Sequence, residues 1–356
     1  MKIAVGMSGG VDSSVAALLL KEQGHEVVGI TMAIWDGKGE RSTKRHACYG
    51  PNEREDMESA RVVCGILDIP YRVFDCARSY ERIVIDYFKH EYLEGRTPNP
   101  CVVCNHTMKF GVLPETARRA GLSFDMFATG HYARIGHDAN TGRLHIKKAV
   151  DRRKDQSYFL HRLSQEQLAN ALFPLGDMLK EDVRNVARTR GLPVSERVES
   201  QDFYDGDYKE LLSAGESPGN IVASDGQVLG IHKGVWNYTL GQRKGLGIGH
   251  NEPLYVVRID KASNTVVVGR KEELARRAFV AGNLHWMAIE RLSAPMKARV
   301  KIRSTHEEKP AMMENTGEDA VTITFDTPVD SITPGQSAVF YREDDVIGGG
   351  IIENVI

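Results

Sequence analysis

The sequence predicts an α/β protein in which a doubly wound parallel sheet is followed by a mixed central domain and a C-terminal β-barrel. In the first part of the chain, short unbroken apolar segments alternate with helical patterns, as buried parallel strands and their crossover helices do. In the middle, NIVASDGQVL predicts a strand, an Asp-Gly turn and a second strand. Near the C-terminus, three more segments have strand patterns: residues 297–303, 321–325 and 337–341.

Length and composition limit the possible organisation. A chain of 356 residues with 41% hydrophobic residues can bury two or three cores, and we expect domains at 1–165, 166–278 and 279–356. A net charge of -2 gives no overall attraction to nucleic acid, so such a partner would need local basic patches. The start MKIAV lacks the order of a signal peptide, and no apolar run has membrane-spanning length. We therefore expect a cytoplasmic protein with no membrane partner.

The first element is IAVGMSGGVDSS, residues 3–14, an apolar strand that enters a Gly-Gly turn and then an apolar helix ending at Gly24. The two glycines let the backbone approach a ligand, and the free N–H groups at the start of the helix favour an anion. The serine hydroxyls can add donors, whereas Asp12 would repel phosphate unless a divalent cation lay between them. The pattern predicts a site for a nucleotide with its metal. The alternative is a tight turn without a ligand.

The next elements continue the sheet. Because the carboxyl ends of parallel strands face the ligand crevice, the loop 33–52, which holds Cys48, should border the nucleotide. Residues 53–67 carry apolar side chains at helical spacing, which predicts that Cys64 lies in the core, and Cys76 follows the third strand. The expected strands after the first are 27–32, 71–75 and 127–129.

A C-x-x-C pair occurs in GRTPNPCVVCNHTMKF, residues 95–110. Its prolines and asparagine predict a rigid extended loop that presents Cys101 and Cys104. Such a pair in a reducing compartment is typical of a metal site, a cluster or a redox thiol pair. With five cysteines and no second C-x-x-C, neither a disulfide framework nor a four-cysteine zinc site is expected. The alternative is two cysteines that merely pack in a turn.

A basic stretch precedes and includes KDQSYFL, residues 154–160. Cations that contact phosphates, followed by Tyr158 and Phe159 as stacking partners for an unpaired base, fit recognition of single-stranded RNA loops. The alternative is a solvated charged turn. The cations are Lys147, Lys148, Arg152, Arg153 and Lys154.

A second basic pattern lies near the C-terminus, where four cations alternate with apolar residues. The alternation predicts a strand with an apolar inner face and the cations on an exposed face, where an RNA backbone could bind. The alternative is an edge strand protected by charge against aggregation. These cations are Lys297, Arg299, Lys301 and Arg303; an exposed loop with Gln242, Arg243 and Lys244 and a charged helix at 181–190 lie before them.

Six motifs in order resemble the tRNA-specific 2-thiouridylases over almost the whole chain. They are SGGVDSS, NPCVVCN, ATGHYAR, KDQSYFL, YTLGQRKGLGIG and PGQSAVFY. The first motif alone is similar to the pyrophosphatase loop of ATP-dependent adenylating enzymes. The resemblance implies an enzyme that activates the C2 oxygen of the wobble uridine of tRNA with ATP and then replaces that oxygen with sulfur. It implies tRNA as partner, with sulfur from a donor protein or inorganic sulfide, and we expect a monomer apart from tRNA.

The resemblance also implies roles for single residues, with Cys104 as the catalytic cysteine and Cys101 beside it. Without the resemblance, His131 could instead be a crevice histidine whose hydrogen bonds are made by neighbouring residues. The implied contacts to ATP and its Mg²⁺ are Gly6, Met7, Ser8, Gly9, Gly10, Val11, Asp12, Ser13, Met32 and Gly130. The implied contacts to the target base and tRNA are Asn99, Pro100, Cys101, His131, Lys154, Asp155, Gln156, Arg303, Ser304 and Gln336.

Two departures from the family pattern affect the sulfur chemistry. The family usually has Asp where Cys101 stands, and it carries a second catalytic cysteine in a D-S-x-x-I-C-F segment. Here that stretch is ESQDFYDGDY, residues 199–208, with no cysteine. Either Cys101 acts as the resolving thiol, or Cys101, Cys104 and a third cysteine bind a [4Fe-4S] cluster. We favour the cluster, with Cys48 as third ligand and Cys76 as the next candidate.

Two rival functions stay open. One is an adenylating amidotransferase or synthetase that acts on a small molecule, which would leave the C-x-x-C without a task. The other is a nucleotide-gated RNA-binding protein without turnover, which the missing second cysteine makes conceivable.

Overall fold

A computed structural model of the chain describes residues 1–35, 37, 47–139, 141–195, 197, 202–204, 206, 208–212 and 214–356. Its N-terminal part contains a five-stranded sheet in which every pairing is parallel. The strands of this part are β1 (Lys2–Gly6), β2 (Glu26–Ala33), β3 (Ala47–Tyr49), β4 (Tyr71–Asp75), β5 (Met126–Thr129), β6 (Ala133–His137), β7 (Leu144–Lys148), β8 (Ala171–Leu172) and β9 (Asp202–Tyr204). The order in the sheet is β4-β2-β1-β5-β8.

Helices cover both faces of this sheet, which confirms the predicted doubly wound α/β fold. Ile3 and Val5 pack into one core and Ala4 into the other, because successive side chains of a strand point to opposite faces. The α-helices are α1 (Val11–Glu22), α2 (Glu53–Ile66), α3 (Ala77–Tyr80), α4 (Asp86–Leu93), α5 (Pro100–Val103), α6 (Leu113–Arg119), α7 (Ser157–Leu160), α8 (Gln165–Ala169), α9 (Lys180–Thr189) and α10 (Tyr208–Leu212), and π-helical segments span Glu81–Ile85 and Cys104–Val112.

The rest of the chain is built from β-structure, as predicted. A four-stranded sheet has the order β11 (Val228–His232), β10 (Gly219–Ala223), β13 (Thr265–Gly269) and β12 (Tyr255–Asp260). A larger sheet closes into a barrel because its strand Ala275–Trp286 also pairs with its strand Asp345–Val355. The strands are β10 (Gly219–Ala223), β11 (Val228–His232), β12 (Tyr255–Asp260), β13 (Thr265–Gly269), β14 (Ala275–Trp286), β15 (Met296–Lys301), β16 (Lys309–Gly317), β17 (Ala320–Asp330), β18 (Ser337–Arg342) and β19 (Asp345–Val355), with 3₁₀ turns at Val235–Asn237 and Lys271–Leu274. The hairpin β6–β7 extends the barrel sheet beside β19.

The predicted rigid extended loop at residues 95–110 is wrong from Pro100 onward. Asn99 caps α5 by accepting the Val102 backbone N–H at 3.3 Å, and Pro100 stands at the first helical position, where its fixed φ suits a helix. The π-helical segment then continues α5 without a break. The two cysteines therefore lie on a helix, three residues apart.

The predicted loop 33–52 contains a short strand. β3 pairs in parallel with β9, with Tyr49 opposite Tyr204, so the stretch that lacks the family cysteine lies beside Cys48. Residue 36 and residues 38–46 of this loop lie outside the described residues. Within the described parts of the chain, no helix is long and apolar enough to cross a membrane.

The basic pattern at 297–303 forms β15 up to Lys301, with Arg303 beyond the end of the strand, and only part of the pattern faces solvent. Lys297 and Arg299 are exposed, whereas Lys301 and Arg303 are half-buried. Arg303 donates to the Leu240 carbonyl at 3.0 Å and to the Thr333 hydroxyl. The prediction of four cations on an exposed face is therefore wrong for two of them.

Acidification should destabilise the fold because of a buried histidine. His161 is fully buried, its Nδ1 lies 2.8 Å from the Tyr158 carbonyl, and its Nε2 has no hydrogen-bond partner. Burial lowers the pKa of His161 to about 3 and the pKa of His106 to about 4. Since the unfolded chain takes up protons first, stability is lost as pH falls below about 6.5, and His161 alone should cost about 2 kcal/mol by pH 5.

Urea unfolding at pH 7, 6 and 5 measures this loss. The variant His161→Asn should show a shallower dependence on pH over the same range. A free energy of unfolding that stays constant from pH 7 to pH 5 would contradict the assignment.

Candidate active site

The glycine loop lies at the carboxyl end of β1, in the centre of the parallel sheet. Gly9 adopts φ +73°, and a Cβ there would lie 2.3 Å from the Asp56 carbonyl oxygen. The loop is tied together locally, because the Ser8 backbone N–H donates to the Ser13 hydroxyl at 3.2 Å and the Ser14 hydroxyl donates to the Gly10 carbonyl at 2.8 Å. This geometry leaves the start of α1 facing a cavity, as an anion site requires.

That cavity has a volume of about 320 Å³, within the range of small-molecule sites. It gathers nine of the ten residues expected at ATP; the tenth, Gly9, shapes the loop behind it. His131 and Gln156, expected at tRNA, also line it. The nine are Gly6, Met7, Ser8, Gly10, Val11, Asp12, Ser13, Met32 and Gly130, and further lining residues include Cys48, Glu53, Asp56, Lys109, Thr129 and Arg197.

Asp12 has a cationic partner within the chain, which the local sequence did not indicate. The Lys180 ammonium lies 2.7 and 2.8 Å from its two carboxylate oxygens, and the Tyr132 hydroxyl donates to it at 2.8 Å. Lys180 stands 168 positions away, at the start of α9. Lys180 therefore offsets the charge of Asp12, and a divalent cation between Asp12 and phosphate stays a prediction.

Breaking this pair should weaken nucleotide binding. Lys180→Met leaves the Asp12 carboxylate uncompensated in an anion site, so we expect ATP affinity to fall at least about tenfold. Asp12→Asn in the same chain removes the repelling charge and should restore part of the loss. Calorimetric ATP titration of wild type, the two single variants and the double variant gives the coupling energy between Asp12 and Lys180. Effects of the two substitutions on ATP affinity that simply add would contradict the pairing.

Two more side chains support the cavity and were missed by sequence reasoning. Arg197 donates to the Gly9 carbonyl at 2.8 Å and pairs with Asp56, which joins the loop to α2. Glu53 accepts the Ile34 backbone N–H at 2.6 Å, and burial raises its pKa. No local motif indicates Arg197 or Glu53. The partners of Arg197 are distant in the sequence, and the partners of Glu53 are backbone N–H groups.

His131 lies in the crevice, with Nδ1 2.7 Å from the Thr129 hydroxyl. Burial, and after it the Lys109 charge, lowers the pKa of His131 well below its ordinary value, so its imidazole is neutral at physiological pH. The surroundings of His131 therefore match the alternative that it is a crevice histidine with a hydrogen-bond partner inside the chain. A contact between His131 and tRNA stays a prediction.

The thiols lie beside the cavity. Cys104 is 8% exposed, and burial raises the pKa of its thiol to about 11, with Lys109 opposing that shift. Burial, and after it the sulfurs of Cys104, Cys48 and Cys101, raises the pKa of Tyr80. Three cysteines therefore lie near one buried phenol, and one of them, Cys48, is exposed and lines the cavity.

These cysteines do not fit an iron–sulfur cluster as they stand. Among the residues that the structure describes, no three His, Cys, Asp or Glu side chains are arranged to hold a metal ion. Cys76 is buried, and burial, its largest influence, raises its thiol pKa to about 11. Cys64 is in the core, as predicted.

The barrel positions the segment before Asn99. The Gln336 side-chain amide donates to the Thr97 carbonyl at 3.0 Å and the Pro98 carbonyl at 2.9 Å, and the Thr97 backbone N–H donates to Pro334 at 2.9 Å. A Cβ at Gly335 would lie 2.9 Å from Thr97, so the contact is close. Asn99 and Pro100 are thereby fixed at the start of the thiol-bearing helix.

The remaining residues expected at tRNA are dispersed over the surface and the interior. Asp155 accepts the Ala149 N–H at 2.9 Å and Gln156 accepts the Tyr132 N–H at 2.9 Å, so both already support the fold. Tyr158 is buried and its hydroxyl donates to the Ser337 carbonyl. The expectation that Tyr158 stacks on an unpaired base is therefore wrong for this structure. Arg303 and Ser304 are half-buried.

A basic groove that the sequence did not indicate as a unit lies beside Lys154. It encloses about 450 Å³ and combines cations of the 151–154 turn with those of α9. Two other cations of the basic stretch are engaged elsewhere, since Lys148 pairs with Glu308 and Arg152 with Asp344. The groove is lined by Asp151, Arg153, Lys154, Lys180, Glu181, Arg184, Asn185 and Arg188.

Comparison with known proteins gives consistent matches along the chain. Three family models match in order: a tRNA methyl transferase HUP domain at residues 1–204, a tRNA methyl transferase PRC-barrel domain at 211–270 and an aminomethyltransferase beta-barrel domain at 276–352. The chain is 48% identical to the tRNA-specific 2-thiouridylase MnmA of Endomicrobium trichonymphae, covering 99% of both chains. It is 45% identical to MnmA 1 of Caldanaerobacter subterraneus subsp. tengcongensis, covering 100% of this chain and 98% of the other.

A 4-thiouridine synthetase in a complex with RNA and bound ATP is similar with a TM-score of 0.35 and 15% identity, over 56% of this chain and 44% of the other. A similarity of this size carries no argument about the site.

Proposed function

The chain belongs to the family of tRNA-specific 2-thiouridylases, and from that premise we propose that it replaces the C2 oxygen of the wobble uridine in tRNA with sulfur at the expense of ATP. One observation carries the proposal: the glycine loop and the helix that begins at Cys104 contribute to the same region, with Lys109 of that helix in the wall of the loop's cavity. An activated base held there would lie near a thiol.

The first step activates the base. ATP, bound with Mg²⁺ as substrate, would lie with its phosphates at the N-terminus of α1 and its base toward Met32. The uridine C2 oxygen attacks the α-phosphorus, the bond to pyrophosphate breaks, and pyrophosphate leaves with the electron pair. The C2 oxygen is then part of a phosphate ester and has become a good leaving group.

The second step delivers sulfur through Cys104. A persulfide on Cys104, formed by a sulfur-donor protein, attacks C2 with its terminal sulfur, and AMP departs with the former C2 oxygen. Cys101 thiolate then attacks the Cys104 sulfur, which frees 2-thiouridine and leaves a Cys101–Cys104 disulfide. A dithiol reductant restores the thiols; alternatively, inorganic sulfide opens the disulfide and regenerates the persulfide directly.

We route sulfur through thiols because the described cysteines do not form a metal site. The C-x-x-C pair lies within one helix, with Cys101 half-buried and Cys104 buried, so the two sulfurs belong to the same local unit. Iron and acid-labile sulfide in the active, anaerobically purified protein, in proportion to the chain, would contradict this route.

Cys101→Ser should separate the two sulfur steps. The persulfide can still form on Cys104, so a single turnover should reach the stage of AMP release, but thiouridine should stay attached to Cys104 through a disulfide. We expect multiple-turnover thiolation to fall about 10²-fold or more. Peptide mass analysis of the tRNA adduct measures this, with Cys64→Ala as a matched core-cysteine control. Full turnover by Cys101→Ser would contradict its role as resolving thiol.

For the tRNA, we propose that the basic groove beside Lys154 and the exposed cations of β15 contact the phosphate backbone. Both surfaces carry cations toward solvent, which is the general requirement for such contacts. The exposed Arg243 and Lys244 form a third basic segment. Residues Asn99 and Pro100, fixed by the barrel, would lie at the target base.

Nucleoside analysis tests the proposal as a whole. Purified protein, tRNA, ATP and a persulfide donor should yield 2-thiouridine and one pyrophosphate per thiouridine. Pyrophosphate release that depends on a small molecule instead of tRNA would favour the rival synthetase or amidotransferase. Binding of tRNA with no pyrophosphate release would favour the rival RNA-binding protein.

A further inference from the structure

The helix that carries Cys104 has unusual winding. Residues Cys104–Val112 form a π-helical segment, in which hydrogen bonds run from residue i to residue i+5. Residues five positions apart therefore lie one turn apart on the same side, and Lys109 follows Cys104 by five positions. In an α-helix the same two residues would be rotated by about 140° from each other. The π-winding thus places Lys109 on the side of the helix that carries Cys104.

Lys109 also reaches the nucleotide cavity. It lines that cavity together with Gly130 and His131, and its neighbour Phe110 packs against His131 with ring centroids 6.1 Å apart. Burial is the largest influence on both groups, raising the pKa of Cys104 and lowering the pKa of His131, and the Lys109 charge opposes the first shift and adds to the second. Lys109 therefore borders the cavity of the anion loop and its charge acts on the thiol.

The other ionisable groups around this cavity have partners. Asp12 pairs with Lys180, Asp56 pairs with Arg197, and Glu53 accepts backbone N–H groups. The other titratable groups nearby are the imidazole of His131, the phenol of Tyr80 and the thiols of Cys48, Cys101 and Cys104. For Lys109 the described parts of the chain show no hydrogen bond and no ion pair. A cation in an anion site without an internal partner is available to a ligand.

We propose that Lys109 is a catalytic residue whose ammonium group holds the negative charge of the Cys104 sulfur and then that of the departing AMP. The part of this inference that concerns AMP rests on the proposed function. The part that concerns the Cys104 sulfur rests on the structure. During sulfur attack the C2–S bond forms and the C2–O bond breaks, and the electron pair goes to the phosphate oxygen of AMP. Lys109 keeps its proton throughout and acts by charge alone.

Alkylation of Cys104 tests the first charge without any turnover. The full chain reacts with iodoacetamide from pH 7 to pH 10, and peptide mass analysis follows Cys104. Lys109→Met removes the charge but keeps a side chain of similar length. The pH profile of Cys104 alkylation should therefore move up by about one pH unit, which lowers the alkylation rate at a fixed pH about tenfold. Lys109→Arg should keep the wild-type profile, and Lys271→Met, an exposed lysine in a turn of the β-structure, should change nothing.

Single-turnover kinetics test the second charge. With persulfide-loaded protein, tRNA and ATP, Lys109→Met should slow AMP release more than about tenfold beyond any loss in ATP affinity, and Lys109→Arg should recover most of it. An alkylation profile of Lys109→Met that coincides with wild type would overturn the proposal. Should wild-type protein form no thiouridine, the proposed function fails while the alkylation result still decides whether Lys109 acts on Cys104.

Discussion

Replacing Cys104 with serine should abolish 2-thiouridine formation and leave ATP binding within about twofold of wild type. A hydroxyl has nearly the shape of a thiol but cannot carry a persulfide, so the rate should fall on the order of 10³-fold or more. Cys104 does not belong to the described wall of the nucleotide cavity, which is why affinity should be preserved. Nucleoside mass analysis measures the first quantity, and calorimetric ATP titration measures the second.

Cys64→Ala provides the control for the loss of a buried sulfur. Cys64 packs in the core between α2 and the sheet, and its replacement should lower stability but not thiolation at a temperature where the fold persists. Thiolation that survives in Cys104→Ser would remove Cys104 from the mechanism. A large loss of ATP affinity in that variant would mean that its role lies in the nucleotide site.

Gly9→Ala should lower ATP affinity about 10²-fold. Alanine is strained at φ +73°, and its Cβ would lie 2.3 Å from the Asp56 carbonyl oxygen, so the loop and α2 must separate. That movement also disturbs the Arg197 hydrogen bond to the Gly9 carbonyl. A distortion of about 3 kcal/mol at the phosphate contacts corresponds to this loss.

Gly24→Ala is the matched control for backbone strain. Gly24 has φ +83°, but a Cβ there would meet no atom within 4 Å, and the residue lies at the far end of α1 from the loop. It should lower the melting temperature with little effect on ATP affinity. Equal losses of ATP affinity in both variants would show that general destabilisation, not the close approach at Asp56, governs binding.

Local sequence predicts the parts of the fold that depend on neighbouring residues. The unbroken apolar segments predict the parallel strands, the Gly-Gly turn predicts the entrance to α1, and the Asp-Gly turn predicts the hairpin β10–β11. The same holds for Cys64, because its position on an apolar stripe is a property of the helix itself.

The thiol-bearing segment shows where such reasoning fails. Its prolines suggested an extended loop, but Asn99 as a cap and Pro100 at the first turn are equally typical of the start of a helix. The π-winding after Cys104 has no recognised local signal, since it depends on how the helix packs. This winding places Lys109 on the same side of the helix as Cys104.

Long-range pairs form the other part that local patterns cannot predict. Lys180 and Arg197 reach the glycine loop from 168 and 188 positions away, and neither belongs to a motif. Arg303 is likewise held by hydrogen bonds to Leu240 and Thr333, although the alternation of cations at residues 297–303 suggested that it faces solvent. Burial and pairing of these residues follow from the packing of elements that are distant in the chain.

Oxygen transfer tests the central claim, activation of the base by ATP beside a thiol. A tRNA that carries ¹⁸O at C2 of the wobble uridine is converted by the enzyme with ATP and a persulfide donor, and the AMP is analysed by mass spectrometry. Attack of the C2 oxygen on the α-phosphorus predicts one ¹⁸O in each AMP formed per 2-thiouridine. Thiouridine accompanied by unlabelled AMP, with ¹⁸O released to water, would contradict the claim.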